Sequence, residues 1–240
     1  MNKIKLNINN LTRLWKMAGE TFENYFEDEA IFWSQIKNSE WPNRVWTNKP
    51  LTEETILKIK SRMRIESGLT FSYFSEIKKR NLLMNDNDFK FKSLQSGMSL
   101  PLTNKFSTQK QIDFKEVTGK TDAKLWSESF YEAFNYNIST ETVLRTKNDI
   151  QYFLSYHESE LVGTIVLFVT EKVAGIHSLG ILPAKRKQGL ATDIMHAILN
   201  TAIDQDLTLA TLQASEMAKE MYLKMGFSFD FLMENFQLKH

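Results

Sequence analysis

The chain has 240 residues, 42% of them hydrophobic and among them 17 Phe, 7 Tyr and 5 Trp, so it can bury a sizeable core and is not a disordered chain. A formal net charge of +1 provides no strong field for nucleic acid, and the absence of cysteine excludes a disulfide framework, a thiolate nucleophile and a cysteine zinc site; with only four scattered His, no metal is expected. No stretch approaches the ~20 apolar residues that span a bilayer and the first ten residues lack an apolar signal core, so the expectation is a cytoplasmic protein that binds neither membrane nor nucleic acid.

Leu11, Leu14, Ala18, Phe22, Phe26, Ala30, Trp33 and Ile36 recur at helical spacing and predict one long amphipathic helix. Pro42 stops it, and Val45-Trp46 suits a short strand. Thr52 then caps a second helix, with Glu53 and Glu54 in the first turn where the macrodipole favours negative charge, Leu51 stapling onto Ile56, and Gly68 closing it. Residues 69–74 alternate as a strand, a polar helical turn follows, and 89–92 and 98–100 read as the two strands of a hairpin. Residues 103–111, T-N-K-F-S-T-Q-K-Q, read as a linker.

The second half repeats this order more fully. A strand at 112–117 precedes a helix carrying Leu125, Trp126, Phe130 and Phe134 and another helix at about 139–148. Strands at 150–157, 161–170 and 173–181 form a meander with polar turns at Glu158-Ser159-Glu160 and Thr170-Glu171-Lys172. The stretch 181–191, I-L-P-A-K-R-K-Q-G-L-A, is then a strand end, a basic turn and a helix start, because Leu190, Ile194, Ile198 and Ala202 follow at helical spacing. A helix start leaves about four N–H groups unpaired and carries roughly half a positive charge, so this turn is an anion site. Gly189 admits a ligand close to the backbone, Pro183 ends the strand, and Lys185, Arg186 and Lys187 add positive field. A strand at 207–212, a helix carrying Tyr222 and a final hairpin complete the chain.

The halves share a register. Phe89, Phe91 and Leu100 match Phe227, Phe229 and Leu238, since 227 − 89 and 238 − 100 both equal 138. The same offset lays the helix at 190–204 on the one at 52–66 and the strand at 207–213 on 69–75, which points to an internal duplication. It also sets Arg186, Gly189 and Ala191 against Asn48, Leu51 and Glu53, and Tyr222 against Met84, so the first half lacks the anion loop and the phenol.

Two blocks resemble a known family, the GNAT superfamily of acyl-CoA-dependent N-acyltransferases. Arg186-x-x-Gly189-x-Ala191 is similar to its R/Q-x-x-G-x-G/A loop, and Leu212-Gln-Ala-Ser215-x-x-Ala218-x-x-Met221-Tyr222-x-x-x-Gly226-Phe227 is similar to its closing strand, helix and G-F turn. The resemblance covers about 112–240. Together with the internal duplication it implies two α/β GNAT-like domains, each a mixed, mostly antiparallel twisted sheet flanked by helices: a degenerate one at 1–102 without a cofactor motif, a linker at 103–111, and a complete one at 112–240 whose splayed strand pair holds the cofactor.

The resemblance further implies acetyl-CoA as acyl donor, bound by Leu179, Gly180 and Ile181 through backbone atoms, by Arg186, Lys187, Gln188, Gly189, Leu190, Ala191 and Thr192 at the phosphates, and by Ser215, Ala218 and Tyr222 along the arm. Ser215 stands where the family usually has Asn, and Lys224 lies toward the adenosine phosphate. Tyr222 takes the place of the phenol that assists the departing thiolate. The family often carries a Glu where this chain has Gly175; His177 shares that strand face and, titrating near neutrality, is the candidate base. Trp126, Phe130, Tyr131 and Tyr136 fall in the region that faces the acceptor. The expected activity is direct transfer of acetyl to a primary amine of a small molecule or peptide in one ternary complex, by a monomer whose fused first half replaces a partner copy. The competing expectation is a catalytically silent acyl-CoA-binding sensor or interaction protein.

Overall fold

The computed structural model describes residues 2–75 and 88–239; the polar turn expected after residue 75, Met84 and His240 lie outside the described residues. Asn2 caps α1 (Lys3–Thr21) by accepting from the Lys5 N–H. The helical spacing that continues to Ile36 does not carry the helix with it. After Thr21 the chain turns at Glu23 (φ 55) into β1 (Tyr25–Glu27) and β2 (Phe32–Ser34), an antiparallel hairpin. Aromatic pairs at Tyr25-Phe26 and Phe32-Trp33 favour strand, and Asp28 closes the turn by accepting from the N–H groups of Ala30 and Ile31.

The first half continues with β3 (Arg44–Trp46), α2 (Glu53–Ile65), β4 (Thr70–Ser75) and β5 (Phe89–Pro101). The second runs β6 (Asp113–Glu116), α3 (Lys120–Phe134), α4 (Thr140–Thr146), β7 (Gln151–His157), β8 (Glu160–Thr170), β9 (Val173–Ile181), α5 (Leu190–Asp204), β10 (Leu209–Ser215), α6 (Glu216–Lys224) and β11 (Ser228–Leu238). Both expected hairpins, at 89–100 and at the end of the chain, are instead single long strands.

The reason is the sheet they enter. Where the sequence leads one to expect two sheets, the halves build one mixed 11-stranded sheet, β1-β2-β3-β4-β11-β5-β10-β9-β8-β7-β6. The last strand of each half is donated to the other: β5 pairs with β10 and β11, while β11 pairs with β4 and β5, all antiparallel. Each long strand therefore has a hydrogen-bonded neighbour on both sides and leaves no exposed edge. The pairing directions read alike outward from the β11–β5 seam, with one parallel pair on each side, β3 with β4 and β9 with β10. Within the seam Gln95 lies opposite Met233, and 233 − 95 is again 138. Residues related by the repeat thus face each other there, as a two-fold axis between two copies requires.

Gly97 makes the seam close. A Cβ on it would lie 2.2 Å from the Phe231 ring, which is itself only 2% exposed and packs with Leu11, Trp15, Trp46 and Met233 between the halves. α1 then crosses from the first half over the second. Its buried Asn7 donates to the Met98 and Leu212 carbonyls, and its buried Asn10 donates to the Phe168 carbonyl and to Thr170 Oγ1. Residues 103–111 have no regular structure yet are held along α5: Phe106 and Asn200 exchange two hydrogen bonds, Gln109 N–H donates to Asp193 Oδ1 at 2.7 Å, and the Phe106 ring stacks on His196. Among the described residues no helix is long and apolar enough to cross a membrane.

Gly97→Ala is expected to destabilise the protein by about 1–3 kcal/mol, because an added methyl forces the buried Phe231 ring aside. Urea unfolding reads this directly. An unchanged midpoint would mean that the seam repacks without cost.

Candidate active site

β9 and β10 run parallel through three pairs, from Leu209↔Val173 to Thr211↔Gly175, and then part. Beyond Gly175 the edge of β9 that faced β10 is open backbone. On its other edge the register with β8 jumps from Val166↔His177 to Thr164↔Gly180, so β9 carries a bulge, with Ser178 at φ 54. Bulges re-aim the backbone, and a non-glycine residue in the left-handed region is uncommon enough to mark a special site. Nothing in the run H-S-L-G announces this turn of the chain.

The open strand leads to the basic turn. Pro183–Lys185 form a short 3₁₀ turn, Lys187 and Gly189 both adopt positive φ (61 and 79), and α5 begins at Leu190. Gly189 caps α5 without a side-chain bond, and the amides of Lys187, Gln188, Gly189, Leu190 and Ala191 have no backbone acceptor. Those of Thr192 and Asp193 bond back to the Gly189 carbonyl. A run of unpaired N–H groups at a helix N-terminus is a cradle for phosphate. Arg186 is braced beside it, donating from Nε to the Ile181 carbonyl and from Nη2 to the Ala133 carbonyl. Lys185 is paired with Glu160 and adds less field than its sequence position implies.

Among the described residues the first half shows no matching open strand and loop, for a visible reason. Paired residues of β9 and β10 are 36 apart (209 − 173), whereas those of β3 and β4 are 26 apart (70 − 44), so the open strand and loop are missing. The N-terminus of α2 is also satisfied internally: Thr52 accepts from the Thr55 N–H, and Glu53 and Glu54 occupy the first turn.

Between the parted strands lies a cleft of about 210 Å³. His177, Ser178 and Leu179 of β9, Ser215 at the end of β10, and Ala218 and Tyr222 of α6 all line it. Gly180 and Ile181 lie just beyond: a Cβ on Gly180 would meet Phe134 at 2.6 Å, and Ile181 pairs with Gly163. Ser215 caps α6 without a side-chain bond. Thr192 and Lys224 line a separate hollow of about 440 Å³ beside α5 and α6.

Burial sets the chemistry of the two candidate catalytic groups. Tyr222 is 7% exposed, and its phenol is pushed well above its ordinary pKa, so it stays protonated and able to donate a hydrogen bond. Burial pulls the His177 imidazole down to about 4, neutral across the working range and a far weaker base than its free form. Asn10 sets its tautomer. With both Asn10 amide hydrogens committed elsewhere, Asn10 Oδ1 accepts from His177 Nε2 at 3.4 Å, leaving Nδ1 as the lone-pair atom. The same carboxamide explains Gly175, where a Cβ would stand 1.8 Å from Asn10 Oδ1. No carboxylate lines the cleft among the described residues.

The aromatic expectations divide. Trp126 and Phe130 are fully buried core, with Trp126 Nε1 donating to the Phe153 carbonyl; Tyr131 is 52% exposed; only Tyr136, together with Phe134, reaches the cleft. The opposite wall comes from the first half, from Leu11, Trp15, Trp41, Arg44 and Gln95, which no local pattern connects to the distant motif at 181–191.

A family model described as an acetyltransferase (GNAT) domain matches residues 107–237. Among solved structures the chain is similar to a GCN5-related N-acetyltransferase from Kribbella flavida (TM-score 0.66, 14% identity, 96% of this chain and 95% of that one). It is also similar to a functionally unknown conserved protein from Staphylococcus epidermidis (0.64, 16%, 90% and 93%) and to a putative GNAT-family acetyltransferase from Novosphingobium aromaticivorans (0.62, 8%, 95% and 96%). These likenesses span both halves. No curated protein matches the chain. With the parted strands, the unpaired amides of the loop and a family model covering more than half of its residues, the chain belongs to the GNAT acetyltransferase family.

Proposed function

We propose that the protein is an N-acetyltransferase that moves the acetyl group of acetyl-CoA to a primary amine by direct attack in a ternary complex. The observation that carries this reading is the convergence of unpaired loop amides, an open β9 edge and the Tyr222 phenol along one path. Residues 187–191 with Arg186 would hold the phosphates, backbone groups of 176–181 the pantetheine, and Ser215 and Ala218 the far wall of the arm. Bound acetyl-CoA would supply an activated acyl group: the neutral amine nitrogen forms the C–N bond, the C–S bond breaks with its electron pair going to sulfur as the CoA thiolate, and the proton lost by nitrogen passes to solvent.

The chain's own groups divide the remaining work. Tyr222 donates a hydrogen bond toward the sulfur; raised as its pKa is, it assists without losing its proton. His177 offers the Nδ1 lone pair to orient the amine or a water, while solvent takes the proton, since a base near 4 facing an alkylammonium near 10.4 is no proton sink. The same weakness, with the lack of a cleft carboxylate, favours the second reading of a silent acyl-CoA sensor, from which CoA release in the presence of amines separates it. We also read the division at 102 and 112 as that between a cofactor-free half and a cofactor-binding half, the fused pair acting as a monomer.

Calorimetry is expected to give one acetyl-CoA per chain of 28.0 kDa, and a folded Gly189→Glu protein none. Retained binding in that variant would remove the loop from the assignment. Tyr222→Phe keeps the packing and loses the donor, so kcat should fall about 100-fold with acetyl-CoA affinity little changed; a wild-type kcat would assign the donor elsewhere.

For His177 the pH signature lies in stability. Its folded pKa is depressed, so between about 6.5 and about 4 the unfolded chain binds the extra proton and stability falls with falling pH. His177→Gln should flatten that part of the curve while leaving the rate profile above pH 6 unshifted. A rate limb near neutrality that the substitution erases would restore His177 as the kinetic base.

A further inference from the structure

The first-half wall of the cleft contains one cation whose bonding is incomplete. Arg44, on β3, projects Nη1 onto the carbonyls of Pro42 (2.9 Å) and Asn43 (3.3 Å). Its Nε is buried without an acceptor, and among the described residues no group accepts from Nη2. No carboxylate forms an ion pair with it among the described residues. The guanidinium lies over the Trp15 ring, 5.7 Å from its centroid, which fixes its plane. Nε and Nη2 are the two donors whose parallel N–H bonds grip both oxygens of a carboxylate, and a buried donor left unpaired is costly.

The surroundings define what fits. Trp15, Trp41, Phe134 and Tyr136 give the cleft apolar walls, and Gln95 is a neutral polar neighbour. The nearby charged groups are Lys92, which donates to Thr70 Oγ1, and Glu40, whose carboxylate accepts the Asn137 N–H at 2.6 Å and is thereby engaged. The balance is positive. A polycationic amine meets repulsion there, while an amine carrying its own carboxylate satisfies the guanidinium and is held beside His177 and Tyr222. An adjacent cation also disfavours the ammonium form of the acceptor, which helps a site without a strong base.

We propose that Arg44 is the specificity residue for the acceptor, binding the carboxylate of a small amino acid with an apolar or aromatic side chain. This deepens the proposed acetyl transfer and rests on it for the identity of the second substrate. The anchor stands on the half of the chain that lacks a cofactor loop, so each half supplies one substrate's charged contact.

The test is binding rather than turnover, so that it stands apart from the acetyl-transfer reading. CoA-saturated full-length protein is titrated calorimetrically with N-acetyl-L-phenylalanine, N-acetyl-L-leucine, their carboxamides and phosphoethanolamine. The acids are expected to bind at least about tenfold more tightly than the amides. Arg44→Gln should erase that preference, Arg44→Lys should retain part of it, and both should bind acetyl-CoA as wild type does, which also reports that they are folded. Equal binding of acid and amide, no binding of either acid, a preference that survives Arg44→Gln, or tighter binding of phosphoethanolamine would each overturn the proposal. Acid-selective binding without CoA release from any free amino acid would leave the anchor standing and refute the transferase reading.

Discussion

The hydrogen-bonded seam between β5 and β11 is the constraint on which the rest depends. Each of these strands ends one half of the chain, and each is stranded without the other half: β5 lies against β10, β11 against β4, and they meet in the middle. Neither half can complete its sheet alone without exposing a long unpaired edge. Gly97 shows how tightly the seam is drawn, since the space of its missing side chain is filled by Phe231 from the other half.

From that seam follows the composition of the cleft. The parted strands and the loop of unpaired amides are local to β9, β10 and α5, and the family resemblance lies in them. The opposing wall is borrowed: α1 lays Leu11 and Trp15 across the second half, and the short β3 brings Arg44 to the same space. Asn10 is the joint between the two. It ties α1 to β8, occupies the room that Gly175 leaves, and decides which nitrogen of His177 bears the proton.

Burial then decides what these groups can do. Desolvation alone lowers His177 to about 4 and raises Tyr222, so the imidazole remains neutral and the phenol remains a donor. In the proposed transfer such a site would work by positioning neutral groups and fixed dipoles rather than by moving protons through strong acids and bases. A positive wall at Arg44 is consistent with that division, because it disfavours the charged form of an amine held nearby.

Much of this was legible in the sequence. Helix caps, turn residues and period-two runs placed α2, β4 and β7 to β9 close to their observed bounds, and apolar spacing found α3 without bounding it, because those signals are local. The anion loop was legible for the same reason: a proline, a glycine and a helical repeat fix a turn by backbone chemistry alone. The constant offset of 138 residues gave the duplication, and Gln95 facing Met233 carries the same number into the sheet. The sequence misled where a neighbour, and not the chain itself, sets the outcome. The stripe from Leu11 to Ile36 bends into a hairpin at Glu23, and the two terminal hairpins are single strands because their partners lie in the opposite half. The bulge at Ser178, the weakened base and the unpaired donor of the Arg44 guanidinium were equally out of reach. Backbone propensity and hydrophobic period are properties of a few adjacent residues and the sequence determined them, whereas strand exchange, desolvation and an unpaired donor are created only when segments more than 100 residues apart are packed together.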